Sequence, residues 1–384
     1  MSSKRKKSKA VPVVIVLALL AVILAAGCFY AAKYIPDYKA TALEKEQAAV
    51  RERNDRLRQQ WDAEYATVMS DYEQRTSSGA NLAWPAQKTE GWDLIDLTSY
   101  PLENQTSVTM TRSDVMNNGM LLVNQWHSRP DDFANTEASL VRLGKYFSWK
   151  IQVQDASVSL FPVAADALKE AIDAAGAEGL AHYLVSEGYR SFDTQNTYFQ
   201  KKKEKLASKY TNETQLIEAT KKEVNYPGTS EFNSGLAFTL RLYDKTDAEV
   251  GKPKYSTTAQ GIWMNENCWK YGLVFRFPLY NWPLEGTLDK SFKTGIGSDL
   301  NLYRYVGKGN AAAMHYLDMC LEEYVEYLEE HPHIALFEDG RLKYEIYRQY
   351  VGDDSSFQVI LTGKTRNYSS SLDNMGGIVT VFEY

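Results

Sequence analysis

Residues 11–32 form an uncharged run of 22 positions dominated by Val, Ile, Leu and Ala, and no other feature constrains the chain so strongly. About 20 apolar residues suffice to cross a bilayer core as a helix. Lys4, Arg5, Lys6, Lys7 and Lys9 precede the run. Basic residues stay on the cytoplasmic side, so the expected protein is single-pass in the cell membrane. Residues 1–10 are then a cytoplasmic tail, and everything after residue 32 is extracellular or periplasmic. Two other readings of the segment are open. A cleaved signal peptide has an apolar core of about 7–15 residues, shorter than this run. A lipoprotein is suggested by Ala25-Ala26-Gly27-Cys28, which loosely matches a lipid-attachment motif. Ala25 stands where leucine is preferred, however, and Phe29-Tyr30-Ala31-Ala32 continues the apolar run. All three readings export the same downstream chain.

That chain is long enough for one large or two small domains. The formal net charge of -6 gives no basis for a nucleic-acid partner. Tyrosine is abundant, at 26 residues, which suits either a sugar- or peptide-binding surface or ordinary half-buried packing. Apart from Cys28, only Cys268 and Cys320 are present. Both lie in apolar stretches and are expected as free buried thiols, although an exported chain permits a bond between them.

Residues 37–75 are polar, lack Gly and Pro, and carry Leu43, Val50 and Leu57 at seven-residue steps, followed by Trp61, Tyr65, Val68 and Tyr72. This is helical periodicity. It describes a solvated stalk or a short coiled coil that makes the protein a dimer. Glu46 and Arg53 interrupt the seam and favour the stalk. At about 1.5 Å per residue, such a helix spans about 60 Å. A connecting region, 80–118, has strand-like runs at 92–97 and 107–111. The main domain is expected from the turn Asn117-Asn118-Gly119 to residue 340. Within it, the pattern predicts helices over 164–178, 193–209 and 310–329. Strands are predicted at 183–185, 236–242, 273–277 and 302–306. Residues 341–384 alternate apolar and polar side chains, as a β extension of two or three strands. The fold class is α+β.

Four segments carry a recognisable order. They are Ser186-Glu187-Gly188-Tyr189-Arg190-Ser191 with Gln195; Pro227-Gly228-Thr229-Ser230-Glu231-Phe232-Asn233-Ser234-Gly235-Leu236-Ala237-Phe238-Thr239; Trp263-Met264-Asn265-Glu266-Asn267-Cys268-Trp269-Lys270-Tyr271-Gly272, running on to Phe275-Arg276-Phe277-Pro278; and Asp299-Leu300-Asn301-Leu302-Tyr303-Arg304-Tyr305-Val306-Gly307. Together they resemble the zinc-dependent D-alanyl-D-alanine carboxypeptidases of the VanY type, over about two-thirds of the chain. Cys320-Leu321-Glu322-Glu323-Tyr324 fits the same pattern, and residues 373–380 look like an extension some members carry. The resemblance implies a small central antiparallel sheet flanked by helices.

It also implies a loss. In the family's second motif a His and an Asp bind zinc; here Phe232 and Thr239 occupy those positions. In the fourth motif the general base is a Glu and the third ligand a His; here Asp299 and Leu302 stand there. Catalytic zinc needs three donors from His, Cys or carboxylates and an open position for water. Phe and Leu donate nothing, and a neutral Thr hydroxyl is a poor substitute. Without the metal no bound water is activated, and a base has little to act on. The expectation is therefore a chain without a zinc cofactor. The five histidines, His127, His182, His315, His331 and His333, offer one tight pair, His331-Pro332-His333, read as the loop that ends a helix. What remains of the family's cleft is polar. Arg190 matches the arginine that helps hold the substrate's C-terminal carboxylate, a task suited to a planar guanidinium. Gln195 and Ser230 match polar positions lining the same cleft. Each of the three either binds a peptidoglycan stem peptide ending in D-Ala-D-Ala or braces the fold. Three functions follow as alternatives: a non-catalytic wall-facing binder or scaffold, an active carboxypeptidase with an unrecognised metal site, and an interaction domain with a filled cleft.

Overall fold

The computed structural model describes residues 91–384, together with Leu24 and Thr89. Apart from Leu24, the apolar run 11–32 lies outside the described residues, as do the stalk 37–75 and its possible dimer seam. Among the described residues no helix is long and apolar enough to cross a membrane.

The strands, in chain order, begin with β1 (Trp92–Asp96), β2 (Thr106–Thr111), β3 (Val141–Arg142), β4 (Gln152–Val153), β5 (Ser159–Leu160), β6 (Tyr183–Glu187) and β7 (Ala237–Leu242). They continue with β8 (Leu273–Phe275), β9 (Leu302–Tyr305), β10 (His333–Glu338), β11 (Arg341–Tyr350), β12 (Ser356–Leu361), β13 (Tyr368–Leu372) and β14 (Gly377–Glu383). The longer helices are α1 (Pro162–Ala177), α2 (Phe192–Leu206), α3 (Glu213–Lys221), α4 (Ala259–Asn267), α5 (Lys308–Leu317) and α6 (Leu321–Glu330).

Local chemistry sets these boundaries. Pro162 opens α1, where a missing N–H costs nothing. Ser191 Oγ accepts the Thr194 N–H at 3.1 Å and caps α2. The expected single helix over 310–329 is instead two. Asp318 adopts a left-handed conformation (φ 52°) that ends α5, and the Cys320 N–H donates to Glu323 Oε2 at 3.0 Å to start α6. A sequence periodic on both sides of such a break does not reveal it.

Two five-stranded sheets result. The first runs β4-β6-β7-β9-β8. It is small and central as expected, but β4 pairs with β6 in parallel while the other pairs are antiparallel. The second, antiparallel throughout, runs β1-β10-β11-β14-β13. It joins a strand of the 80–118 region to the C-terminal tail, and β2 of that region pairs with β12. The tail itself holds four strands rather than two or three. The boundary at 340 falls in the tight turn between β10 and β11. His333 is not in a loop but opens β10.

Two large apolar clusters fill the fold, and the first reaches both sheets, taking in Leu372, Ile378 and Phe382 of the second. Leu168 and Ala171 of α1 share a cluster with Val185, Phe238 and Tyr303 of the first sheet. Residues 311–314 of α5 and Leu321, Val325 and Leu328 of α6 share another with Leu336, Ile346, Val379 and Val381 of the second sheet. The candidate site is built on the first sheet. Cys268 and Cys320 are both free and buried.

Candidate functional site

The three positions that the resemblance assigns to zinc ligands converge. Thr239, near the middle of β7, has Leu302 of β9 as its register partner on one side and Glu187 of β6 on the other. A register irregularity between Val185 and Glu187 sets that alignment. Phe232 reaches the same place from the 3-10 turn Glu231–Ser234. Gly235 ends this turn with φ 69°, and a Cβ there would stand 2.6 Å from the Phe161 ring, so the chain reverses into β7 at a position suited to glycine.

The convergence is apolar. Leu302 is fully buried in a small cluster with Ala237 and Phe277, against which Phe232, Ile296 and Leu300 pack. The Thr239 hydroxyl lies 2.8 Å from Ser186 Oγ and is engaged there. No pair of nitrogen, sulfur or carboxylate donors stands at these three positions, so they do not fit a zinc ion. Among the described residues no group of three or more His, Cys, Asp or Glu side chains could hold a metal.

Arg190 borders this cluster. Its guanidinium carbon lies 4.6 Å from the Phe232 ring centre and 4.8 Å from that of Tyr198. Its Nε donates to Glu187 Oε1 at 3.0 Å, Nη2 donates to the same oxygen, and Nη1 donates to Gln195 Oε1 at 2.7 Å. Gln195 is buried and passes the chain of bonds on, donating from Nε2 to the Asn225 carbonyl at 2.6 Å. Ser230 is buried at the start of the 3-10 turn, its N–H donating to Asn233 Oδ1 at 3.2 Å. Arg190 and Gln195 are therefore brought together, beside Phe232, and Ser230 braces the turn that carries Phe232. Asp299 is apart from them in its contacts: its half-exposed carboxylate pairs with Lys254 Nζ at 2.8 Å.

Four charged residues of the motifs, none of them a site candidate from the sequence, form a buried polar network near the site. Arg276 donates through Nε to Glu231 Oε2 at 2.7 Å and through Nη1 and Nη2 to Glu322 at 2.8 and 2.6 Å. Arg304 donates from Nη1 to Glu231 Oε1 and from Nη2 to the carbonyls of Gly119 and Leu121 at 2.6 and 2.8 Å. Asn124 Nδ2 donates to Glu322 Oε1 at 2.9 Å. Two cations thus balance two anions, with all four side chains nearly inaccessible. Burial alone would weaken the charge on Arg276, but Glu322 and Glu231 outweigh it and hold its pKa above the ordinary value. Burial likewise works against ionised Glu322, yet Arg276 and the Asn124 hydrogen bond bring its pKa below the usual range. For Arg304 burial prevails over Glu231, and its pKa is lowered. The available signal was a lone charge inside an apolar run: Arg276 between two phenylalanines and Arg304 between two tyrosines.

The profile of the VanY family, D-alanyl-D-alanine carboxypeptidase, matches residues 157–287. YodJ of Bacillus subtilis (strain 168), a protein named as a carboxypeptidase, is 31% identical over 211 residues, which cover 54% of this chain and 67% of that protein. This chain belongs to the VanY-type family. A D-alanyl-D-alanine carboxypeptidase of Enterococcus faecium is 29% identical over 283 residues, 73% of the VanY-type chain described here and 80% of its relative. The fold matches that of the vancomycin-resistance D,D-dipeptidase VanXYg, solved with a D-Ala-D-Ala phosphinate analogue. That match has a TM-score of 0.54 and 22% identity, covering 73% of this chain and 99% of that one.

Proposed function

We propose that this is a non-catalytic VanY-type domain, held on the outer side of the cell membrane by its N-terminal helix, that serves as a scaffold for wall-building partners. The observation that carries it is the meeting of Phe232, Thr239 and Leu302 in and beside one apolar cluster. The register inferred from the motifs is consistent with this geometry, and two of the three side chains there, Phe232 and Leu302, offer a metal no donor. Asp299, at the general-base position, is turned to Lys254. Placement by residues 11–32 and the stalk 37–75 then accounts for much of the role, since these set the height at which the domain stands near the wall.

Capture of a stem peptide ending in D-Ala-D-Ala is the other role open to such a domain. The surroundings of Arg190 weigh against it, because Glu187 already supplies the carboxylate that a substrate terminus would bring. The full-length protein is assayed for D-Ala release from a pentapeptide, with and without chelator, and titrated with the same peptide. No release and no saturable binding are expected. Chelator-sensitive turnover would restore the active-enzyme reading. Saturable binding abolished by Arg190→Ala would restore stem-peptide recognition.

A further inference from the structure

A separate cleft, of about 340 Å³, opens between α1, the start of α5 and the second sheet. It adjoins a hollow of about 410 Å³, with Val163, Tyr305, Tyr368 and Ser369 lining both. None of Arg190, Phe232, Thr239 and Leu302 lines either.

The walls combine aromatic faces with carboxylates. Tyr271, Tyr305, Tyr344 and Tyr368 come from four different segments of the chain. Asp166 and Glu170 stand one turn apart on α1, both exposed, and Glu383 enters from β14. The one basic side chain in this lining is Lys308, whose Nζ is 2.9 Å from Glu170. Three carboxylates thus face one ammonium. The tyrosines register that field: burial, then Asp166 and Glu170, push the Tyr305 hydroxyl up to about 12, and burial, then Glu383, does the same for Tyr344. Tyrosine faces beside carboxylates attract organic cations.

One border of the cleft is an open sheet edge. β13 is the last strand of the second sheet. Asn367 O accepts from the Glu383 N–H, and the Asp373 N–H donates to Gly377 O, so odd-numbered residues of β13 face β14. Antiparallel alternation turns the backbone of Tyr368 and Ser370 the other way. The Ser370 carbonyl is taken by Asn118 Nδ2 at 2.9 Å. Tyr368, which lines the cleft, turns its N–H and C=O away from β14, leaving an edge to which an extended peptide can add as a further strand.

We infer that this cleft binds an extended, lysine-bearing peptide segment, which pairs with β13 at Tyr368 and places its ammonium groups among Asp166, Glu170 and Glu383. The charge balance selects a cation, and the strand edge selects an extended backbone. This holds whether or not the former zinc site is dead. Lys308 is then an internal competitor that occupies part of the site in the free protein.

The full-length chain in detergent is titrated by calorimetry with acetylated, amidated Val-Lys-Val-Lys-Val. Saturable binding is expected. The double substitution Asp166→Asn, Glu170→Gln weakens it by about tenfold, as the loss of two partly exposed charge contacts predicts. Lys308→Met strengthens it, which a merely structural lysine would not do, and N-methylation of the central valine abolishes it. Absence of saturable binding overturns the inference, as does equal affinity for Val-Glu-Val-Glu-Val. Affinity indifferent to both the carboxylate pair and Lys308, or saturable binding of chitohexaose in place of the peptide, overturns it as well.

Discussion

Glu231 and Phe232 are neighbours in one 3-10 turn, yet they serve opposite environments. Glu231 bridges two buried guanidiniums and through Arg276 connects to Glu322. Phe232 packs against Leu302, at two of the positions that the family resemblance assigns to zinc ligands. In the family pattern both positions are polar, and here only one is. The difference separates two jobs that a motif carries at once. A buried carboxylate held by two arginines cannot be removed without stranding its partners, which costs far more than losing one contact. A metal ligand at the rim of the core can be replaced by an apolar side chain that fills the gap. The loss of chemistry proposed above is therefore compatible with full retention of the scaffold.

The largest test of this contrast removes the bridge. Glu231→Ala leaves Arg276 and Arg304 with an uncompensated charge, and a loss of about 3–5 kcal/mol is expected in chemical denaturation. A loss under about 1 kcal/mol would mean that the network is relieved by water and does not brace the motifs. Next comes the apolar side. Leu302→Ala is expected to cost about 2–5 kcal/mol, as for other fully buried leucines. A neutral outcome would place Leu302 in open space and reopen the question of a metal.

A second buried ion pair, in the second sheet, sharpens the comparison through pH. His333 Nδ1 faces the Tyr100 carbonyl at 2.8 Å and Nε2 faces Glu345 at 3.0 Å, while Tyr384 donates to the other Glu345 oxygen. Both ring nitrogens meet acceptors, so the imidazolium is the form that satisfies the site. Burial opposes its charge, but the Glu345 and Tyr100 hydrogen bonds prevail and raise its pKa above 6.5; Glu345 is correspondingly lowered below 4.5. The stability from His333 is then complete below pH 6.5 and fades as pH rises through its folded value. That from Glu345 is complete above pH 4.5 and fades on acidification. Wild type should exceed His333→Gln by about 1.5 kcal/mol between those limits and by less at alkaline pH. A difference that grows with pH would contradict the protonated pair. Smallest of all is Arg190→Ala, expected to cost about 1 kcal/mol, since its partner Glu187 is partly exposed. A cost several times larger would give Arg190 the bracing weight of the buried network.

Much of this was legible in the sequence, and the limits are physical. Helical spacing located α1, and four motifs in order gave the family. Those motifs also brought Arg190 and Gln195 to one place. The split between α5 and α6 was hidden because the Asp318 backbone angle and the Cys320–Glu323 cap leave the apolar period intact on both sides. The second sheet was hidden because β1 pairs with β10 across almost the whole domain, and no local pattern encodes that partnership. The contacts of Arg190 with Glu187 and Gln195 were not legible, because sequence spacing does not say which way a side chain turns.

The most direct measurement is zinc bound per chain after equilibration with the metal and removal of the excess. It is made on the wild type and on the triple substitution Phe232→His, Thr239→Asp, Leu302→His. If these positions are the vacated ligand set, the wild type retains no stoichiometric zinc and the triple variant gains it. One zinc per wild-type chain, with no further gain in the variant, would show that the metal is held elsewhere and that the domain is not the inactive scaffold proposed for it.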